Sequence, residues 1–459
     1  MRLLRALGMD GAVTYTFLAR AANIAGSTGT VLLIVRFFTP AEQGYYYTLL
    51  SLASLQVVFE MGFSFVVQQL AAHECVHLTL GSDGEVSGDA EAHARLASAL
   101  QLTLRWYTVA AVAMCLVLTP LGIAFFSRHQ TAGAAPVAWL GPWLCVVLAV
   151  SVGLWCTPLY SFLEGCGHVR AVAAMRLRQA AATSACAWVP MLLGHGLYSP
   201  AAAGGGYIAA GLLFVFAHRR LLAGLLRYPA GANAVCWTRE VWPFQWRIAV
   251  SWICSYFTVQ ILIPMIFVLR GPVEAGQIGM SLSITSYMTV LALAWTSTKA
   301  TPFGVLIARR RFGELDQLFR RTLGQSLAAF AGIAVGVCAG AFLLPIVAPR
   351  LAARIVPPKF FAVLVLAAGA NCIVQSLAVL LRSFKSEPFL AQSLVVAVLT
   401  LVLAALAMPR WGDPGAALSY FTATAVIGLP FALAVFVRAR RGYLSARQVA
   451  NLPQPCEGA

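Results

Sequence analysis

Apolar segments long enough to cross a bilayer recur along the whole chain, at 12–36, 45–68, 100–124, 138–160, 172–193, 202–217, 248–269, 277–297, 323–347, 360–381, 389–407 and 415–437. A hydrocarbon core of roughly 30 Å takes about 20 apolar residues in helical form. Only 10% of the 459 residues are charged and 60% are hydrophobic. A soluble domain carries about 25% charged residues, so this chain could not cover its own surface in water. It reads as an all-α polytopic membrane protein with about 12 transmembrane helices. Soluble enzymes, DNA-binding domains and secreted disulfide scaffolds are excluded as readings of the whole chain. The first segment follows Arg2 and Arg5 and is too long for a signal-peptide core, so no cleavage is expected.

The formal net charge of +16 would suggest nucleic acid in a soluble protein. Here the cations follow the loops instead. With the N-terminus placed inside, the cytoplasmic segments hold 24 of the 32 Lys and Arg residues. The opposite side holds Arg36, Arg128, Arg270, Arg350, Arg354, Lys359 and Arg410, and Arg20 lies within a span. This asymmetry places both termini in the cytoplasm and leaves no role for nucleic acid. The eleven cysteines include no C-x-x-C pair. They are expected to be small buried residues or inert thiols, without disulfides.

The chain repeats. Pro40, Glu42 and Gly44 stand between the first two spans, and Pro272, Glu274 and Gly276 stand 232 residues later between the seventh and eighth. Six spans separate the copies, so both halves run in the same direction. The expected architecture is two parallel six-helix lobes around a central cavity. The N-lobe is 1–217 and the C-lobe 243–441, with a basic cytoplasmic linker at 218–242 and a tail at 442–459.

Polar side chains inside a span face protein or water, because lipid offers them no partner. The first span carries Thr16, Arg20, Asn23, Ser27 and Thr30 on one helical face. The second carries Gln56, Glu60, Ser64 and Gln68 at i, i+4 steps. The seventh carries Arg247, Ser251, Ser255 and Thr258, and the eighth carries Ser281, Thr285, Thr289 and Thr296. These four helices are expected to line a hydrated cavity. Its candidate substrate-binding residues are Arg20, Asn23, Gln56, Glu60, Arg247, Ser255, Thr285 and Lys299. An unpaired charge in lipid costs roughly 2.5–3.5 kcal/mol. Arg20 and Glu60 are therefore either an ion pair that fixes packing, or a cation for an anionic substrate with Glu60 as counter-ion or proton site.

No Walker A or G-x-S-x-G motif is present, so neither nucleotide hydrolysis nor serine-hydrolase chemistry is expected, and no cofactor. His73-Glu74-Cys75-Val76-His77 has the H-E-x-x-H spacing that presents two zinc ligands on one helical face. Leu80 and Asp83 stand where the metzincin extension needs Gly and His. A third ligand would have to come from the same loop, from His93 or Asp89. An intramembrane zinc protease with His73 and His77 as ligands is the enzymatic alternative; the bland reading is a helix end with solvated histidines.

The run from Phe37 to Tyr45, with Thr39-Pro40-Ala41-Glu42-Gln43-Gly44 inside it, precedes a span with Glu60-Met61-Gly62-Phe63. Together they resemble the start of bacterial Wzx-type polysaccharide flippases, of the superfamily that also holds the lipid II flippase MurJ and the MATE exporters. Glu164-Gly165-Cys166-Gly167 with Arg170, and Trp242-Pro243-Phe244-Gln245-Trp246-Arg247, resemble the same family. The resemblance implies movement of an undecaprenyl-pyrophosphate-linked oligosaccharide across the bacterial inner membrane. It implies glycan polymerase and chain-length proteins as partners, besides membrane lipids. Arg20, Arg247 and Lys299 suit a pyrophosphate, and the hydroxyl and amide stripes suit sugars. The chain lacks the two extra C-terminal helices of fourteen-span members. A MATE-like exporter of small cations is the main alternative, though a buried Arg repels cations. A major-facilitator transporter would carry a Gly-x-x-x-Asp-Arg loop that 69–99 lacks, and a Wzy-type polymerase a large external loop.

Overall fold

A computed structural model describes residues 11–81, 85–129, 137–229, 235–384 and 389–450. Arg2, Arg5, Asp83, Lys385, Cys456 and the tail beyond 450 lie outside the described residues. The chain forms two compact units, one of residues 1–256 and 260–280, the other of 257–259 and 281–459.

The first unit is built from α1 (Gly11–Phe37), α2 (Pro40–Ala53), α3 (Gln56–Glu60), α4 (Phe63–Glu74), α5 (Ala90–Arg128), α6 (Leu140–Gly165), α7 (Val169–Leu192), α8 (Ser199–Ala217), α9 (Arg219–Arg227), most of α10 (Trp242–Val259) and α11 (Leu262–Arg270). A short antiparallel hairpin, β1 (Leu78–Leu80) with β2 (Val86–Gly88), occupies the loop before α5. α1 lies along α7, and α7 along α8. Small residues allow the first approach: a Cβ at Gly26 would sit 1.9 Å from Ser184 Oγ, and one at Gly29 would sit 2.6 Å from the Trp188 ring. Trp188 Nε1 donates to Thr30 Oγ1 at 3.0 Å. The C-terminal end of the polar stripe on the first span thus serves helix packing.

Each recurring motif has a local physical cause. Thr39 caps α2 and forms a capping box with Glu42, while Pro40 opens the helix. α12 (Pro272–Ala292) begins with the second copy, and the two copies lie against each other. A Cβ at Gly44 would sit 1.8 Å from the Pro272 carbonyl oxygen, and one at Gly276 would sit 2.9 Å from the Gly44 nitrogen. Gln43 Nε2 donates to the Gly276 carbonyl at 2.8 Å. The motif at the end of α6 is similar in kind. A Cβ at Gly165 would sit 2.4 Å from the Gln68 carbonyl oxygen, and Gly167 takes φ +89° as the helix stops.

The second span departs from the sequence reading. A stripe at Gln56, Glu60, Ser64 and Gln68 requires one continuous helix over 45–68. The chain instead breaks after Glu60, where Met61 and Gly62 take φ 48° and 65°. The axis bends by 43° between 40–60 and 63–77. Glu60 and Ser64 therefore meet across a break, and Gln68 belongs to a differently directed helix.

The second unit holds most of α12, then α13 (Ala294–Ser297), α14 (Ala300–Ala308), α15 (Phe312–Val347), α16 (Pro358–Arg382), α17 (Leu390–Trp411), α18 (Asp413–Phe421) and α19 (Leu429–Ala450). Phe303, Leu315, Phe319, Leu377, Leu381 and Phe389 form an apolar core. Buried Thr296 on α13 pairs with Ser326 on α15 at 2.8 Å and with Ser376 on α16 at 3.4 Å. Between α18 and α19, residues 422–428 widen to i→i+5 hydrogen bonding.

All twelve apolar segments fall on helices. Among the described residues nine helices are long and apolar enough to cross a membrane, ten when the bent pair counts as one. The other two segments fall on α7 and α12. Arg176 and Arg178 dilute the first, and Ser and Thr the second. The protein is an all-α polytopic membrane protein.

Candidate functional site

The break in the second span carries a carboxylate. Glu60 ends α3, and Ser64, on the first turn of α4, donates to its Oε1 at 2.8 Å. The Ser64 hydroxyl also pairs with the Tyr107 hydroxyl at 2.7 Å. Tyr107 is fully buried on α5. Phe63 stacks on Tyr107 at 5.8 Å and meets Trp106 and Trp237 edge-on at 6.2 and 4.8 Å. Tyr207 on α8 lies within electrostatic range of both Glu60 and Arg176. Arg176 on α7 is paired with Glu164 at 2.5 Å. The first unit thus joins Glu60, Ser64 and Tyr107 in one hydrogen-bonded network, beside the Arg176–Glu164 ion pair.

The eighth span breaks at the equivalent place. The 232-residue offset that relates the two motifs also relates Met61 to Leu293, the residue between α12 and α13. There the second unit holds a cavity of about 230 Å³. Thr285, Ser286, Thr289, Asn371, Gln375 and Tyr420 supply its polar wall, and none of its described lining residues is charged. Thr285 donates to the Leu282 carbonyl at 3.0 Å and Thr289 to the Thr285 carbonyl at 3.0 Å. Their protons are used within the helix, so their lone pairs remain as acceptors. Asn371 and Gln375 stand one turn apart on α16 and add amide donors. Such a wall can hydrogen-bond a neutral polyhydroxylated group without a charged side chain of its own.

Of the sequence-predicted residues, Thr285 lines this cavity. Glu60 sits in the first-unit network. Arg20 and Gln56 are half-buried and Asn23 is exposed. Arg247 is exposed, with its guanidinium 5.6 Å from the Trp246 ring centroid. Ser255 is exposed and donates to the Trp252 carbonyl at 2.6 Å. Lys299 is exposed at the start of α14. Arg20–Glu60 is not among the ion pairs of the described residues, which include Arg95–Glu74, Arg95–Glu240, Arg176–Glu164, Arg311–Glu314 and Arg440–Asp316. Tyr107, Tyr207, Asn371, Gln375 and Tyr420 escaped the sequence reading. Two amides at i, i+4 within the apolar 360–381 segment were a usable signal, whereas lone tyrosines in apolar helices were not.

The H-E-x-x-H residues are arranged for another purpose. α4 ends at Glu74, so His77 lies beyond the helix on a separate turn. Glu74 is buried and accepts from Arg95 Nε at 2.9 Å. Asp89 caps α5, and His93 stacks on Tyr228 at 3.8 Å. Among the described residues no group of three or more His, Cys, Asp or Glu side chains is placed to hold a metal ion. Cys75 and Cys166, both free, stand where α4 and α6 end.

No family model matches the chain, and no curated protein matches it in sequence. Solved structures do resemble it. A MOP superfamily transporter from Pyrococcus furiosus aligns with TM-score 0.57 and 12% identity, over 95% of this chain and 96% of its own. The Vibrio cholerae MATE transporter VcmN in its bent form aligns with TM-score 0.58 and 12% identity, over 94% and 97%. The lipid II flippase MurJ in an inward closed conformation aligns with TM-score 0.52 and 14% identity, over 97% and 93%. The alignments run nearly end to end at low identity, so what they establish is architecture: this chain has the fold of the MOP superfamily transporters.

Proposed function

We propose that the protein is a flippase that moves an undecaprenyl-pyrophosphate-linked oligosaccharide across the bacterial inner membrane by alternating access. The observation that carries this reading is the uncharged cavity walled by Thr285, Ser286, Thr289, Asn371, Gln375 and Tyr420. The Thr285 and Thr289 hydroxyls as acceptors, with the Asn371 and Gln375 amides as donors, suit sugar hydroxyls, which both donate and accept. The MOP transporter fold, shared with a lipid II flippase, supports the same reading. In it, 1–217 and 243–441 act as the two lobes and 218–242 joins them. Arg20 meets the pyrophosphate, Arg247 and Lys299 attract it at the inner mouth, and Asn23, Gln56, Glu60, Ser255 and Thr285 meet the head group. The lipid tail stays in the bilayer while the head crosses. A glycan polymerase and chain-length proteins then take up the product. Both termini lie in the cytoplasm, and the protein performs no covalent chemistry.

The second reading, a MATE-like exporter of small molecules, draws on the Glu60–Ser64–Tyr107 network, which would suit a cation or a proton. Surface glycan and membrane protein level separate the two. Arg20→Ala should abolish glycan export at normal protein level, and Arg20→Lys should restore it only in part, because Lys lacks the bidentate fork. Gln375→Ala with Asn371→Ala should lower export without affecting resistance to cationic drugs. Unchanged glycan in all of these variants, with altered drug resistance, would replace the flippase with the exporter.

A further inference from the structure

The hairpin of α17 and α18 carries a second cavity, of about 260 Å³, away from the sugar-suited one. It opens on the face of the hairpin where Leu406 and Trp411 are 67% and 59% exposed. The two helices are pressed together at one end, where a Cβ at Gly415 would sit 2.7 Å from the Ala407 carbonyl oxygen. Along the seam Leu403, Leu406 and Leu418 form an apolar wall, and Thr422, where the chain widens, closes one end. Arg410 and Trp411 form the other end. From Leu403 to Arg410 the helix rises about 10 Å at its usual rise per residue.

This is an apolar slot with one cationic, indole-flanked end. Trp prefers the headgroup level of a bilayer, and a guanidinium prefers phosphate. Asp413, which opens α18 beyond Gly412, is buried, whereas Arg410 and Trp411 are exposed. Arg410 also interacts within the protein, but five N–H donors leave others for a ligand. The cation count assigns this end to the outer side of the membrane.

We infer that the groove of Leu403, Leu406, Leu418, Arg410 and Trp411 is a binding site for an outer-leaflet phospholipid, its phosphate on Arg410 and an acyl chain along the leucines. The site is independent of the transported molecule. A phospholipid held there fills the seam beside the widened 422–428 segment and supports the geometry of α18.

Native mass spectrometry of the full chain, released from detergent and from nanodiscs of defined phosphatidylglycerol content, tests the assignment. The wild type should retain a bound phosphatidylglycerol. Arg410→Gln and Leu406→Trp should each retain it about tenfold more weakly, as expected for loss of a charge-assisted contact or of the slot itself. Arg350→Gln, which removes an exposed cation outside the groove, should leave retention unchanged. Leu406 faces outward, so its variant keeps the protein core, and melting temperatures without added lipid should match the wild type. Equal retention in both groove variants, or equal loss in Arg350→Gln, would overturn the site. Preferential uptake of polyprenyl phosphate from an equal mixture would overturn the assignment to phospholipid.

Discussion

Met61 is held at φ 48°, a conformation in which an L side chain crowds its own backbone. The cost is roughly 1–2 kcal/mol, and it is borne directly after Glu60, the one carboxylate of the 45–68 segment. Met61→Gly should therefore raise thermal stability by about 1 kcal/mol, seen as a higher melting temperature in detergent. A lower temperature would mean that Met61 packing outweighs the strain. Glu60 itself is best tested through its hydroxyl partners. Glu60→Gln keeps an acceptor for Ser64 and should preserve protein level while altering transport. Tyr107→Phe removes the hydroxyl that Ser64 shares and should cost about 1 kcal/mol in stability. A Glu60→Gln variant with full transport would confine the network to a structural role.

Helix contacts in the first unit depend on glycines and on one arginine. Gly44→Ala and Gly276→Ala should each lower membrane abundance, Gly44 more, because its Cβ would sit 1.8 Å from a backbone oxygen whereas that of Gly276 would sit 2.9 Å from a backbone nitrogen. Equal abundance would show that α2 and the start of α12 can separate without loss. Arg95 joins the end of α4 to the stretch before α10 through Glu74 and Glu240. Arg95→Ala leaves buried Glu74 without its cation and should destabilise by about 3 kcal/mol. The Arg95 guanidinium also holds the Glu240 carboxyl below its ordinary value. The Glu240 contribution is thus complete above about pH 4.3, the unfolded value, and disappears as the pH falls through the lower folded value. Melting temperatures of the wild type and Glu240→Gln should differ at pH 7 and converge in acid.

For the whole molecule, topology is the testable property. A cysteine introduced at Gly313 in a cysteine-free background should react only with reagents that reach the cytoplasm, and labelling from outside would invert the reading. The sequence by itself determined the class of fold, because burial of apolar length in a bilayer is a one-dimensional property of the chain: each of the twelve segments lies on a helix. It also exposed the repeat, since Pro40, Glu42 and Gly44 recur at a fixed offset. Periodicity assumes a continuous helix, so the sequence could bring Ser64 to Glu60 but could not show the break after Glu60 that directs Gln68 elsewhere. Nor could it show that Thr285 shares a wall with Asn371, Gln375 and Tyr420, residues 86 or more positions away, because such proximity follows from how helices pack. The same holds for Glu74, whose zinc-like spacing is local while its partner Arg95 arrives from another helix. Spacing within one helix is fixed by 3.6 residues per turn, and only tertiary packing decides which helix supplies the neighbour.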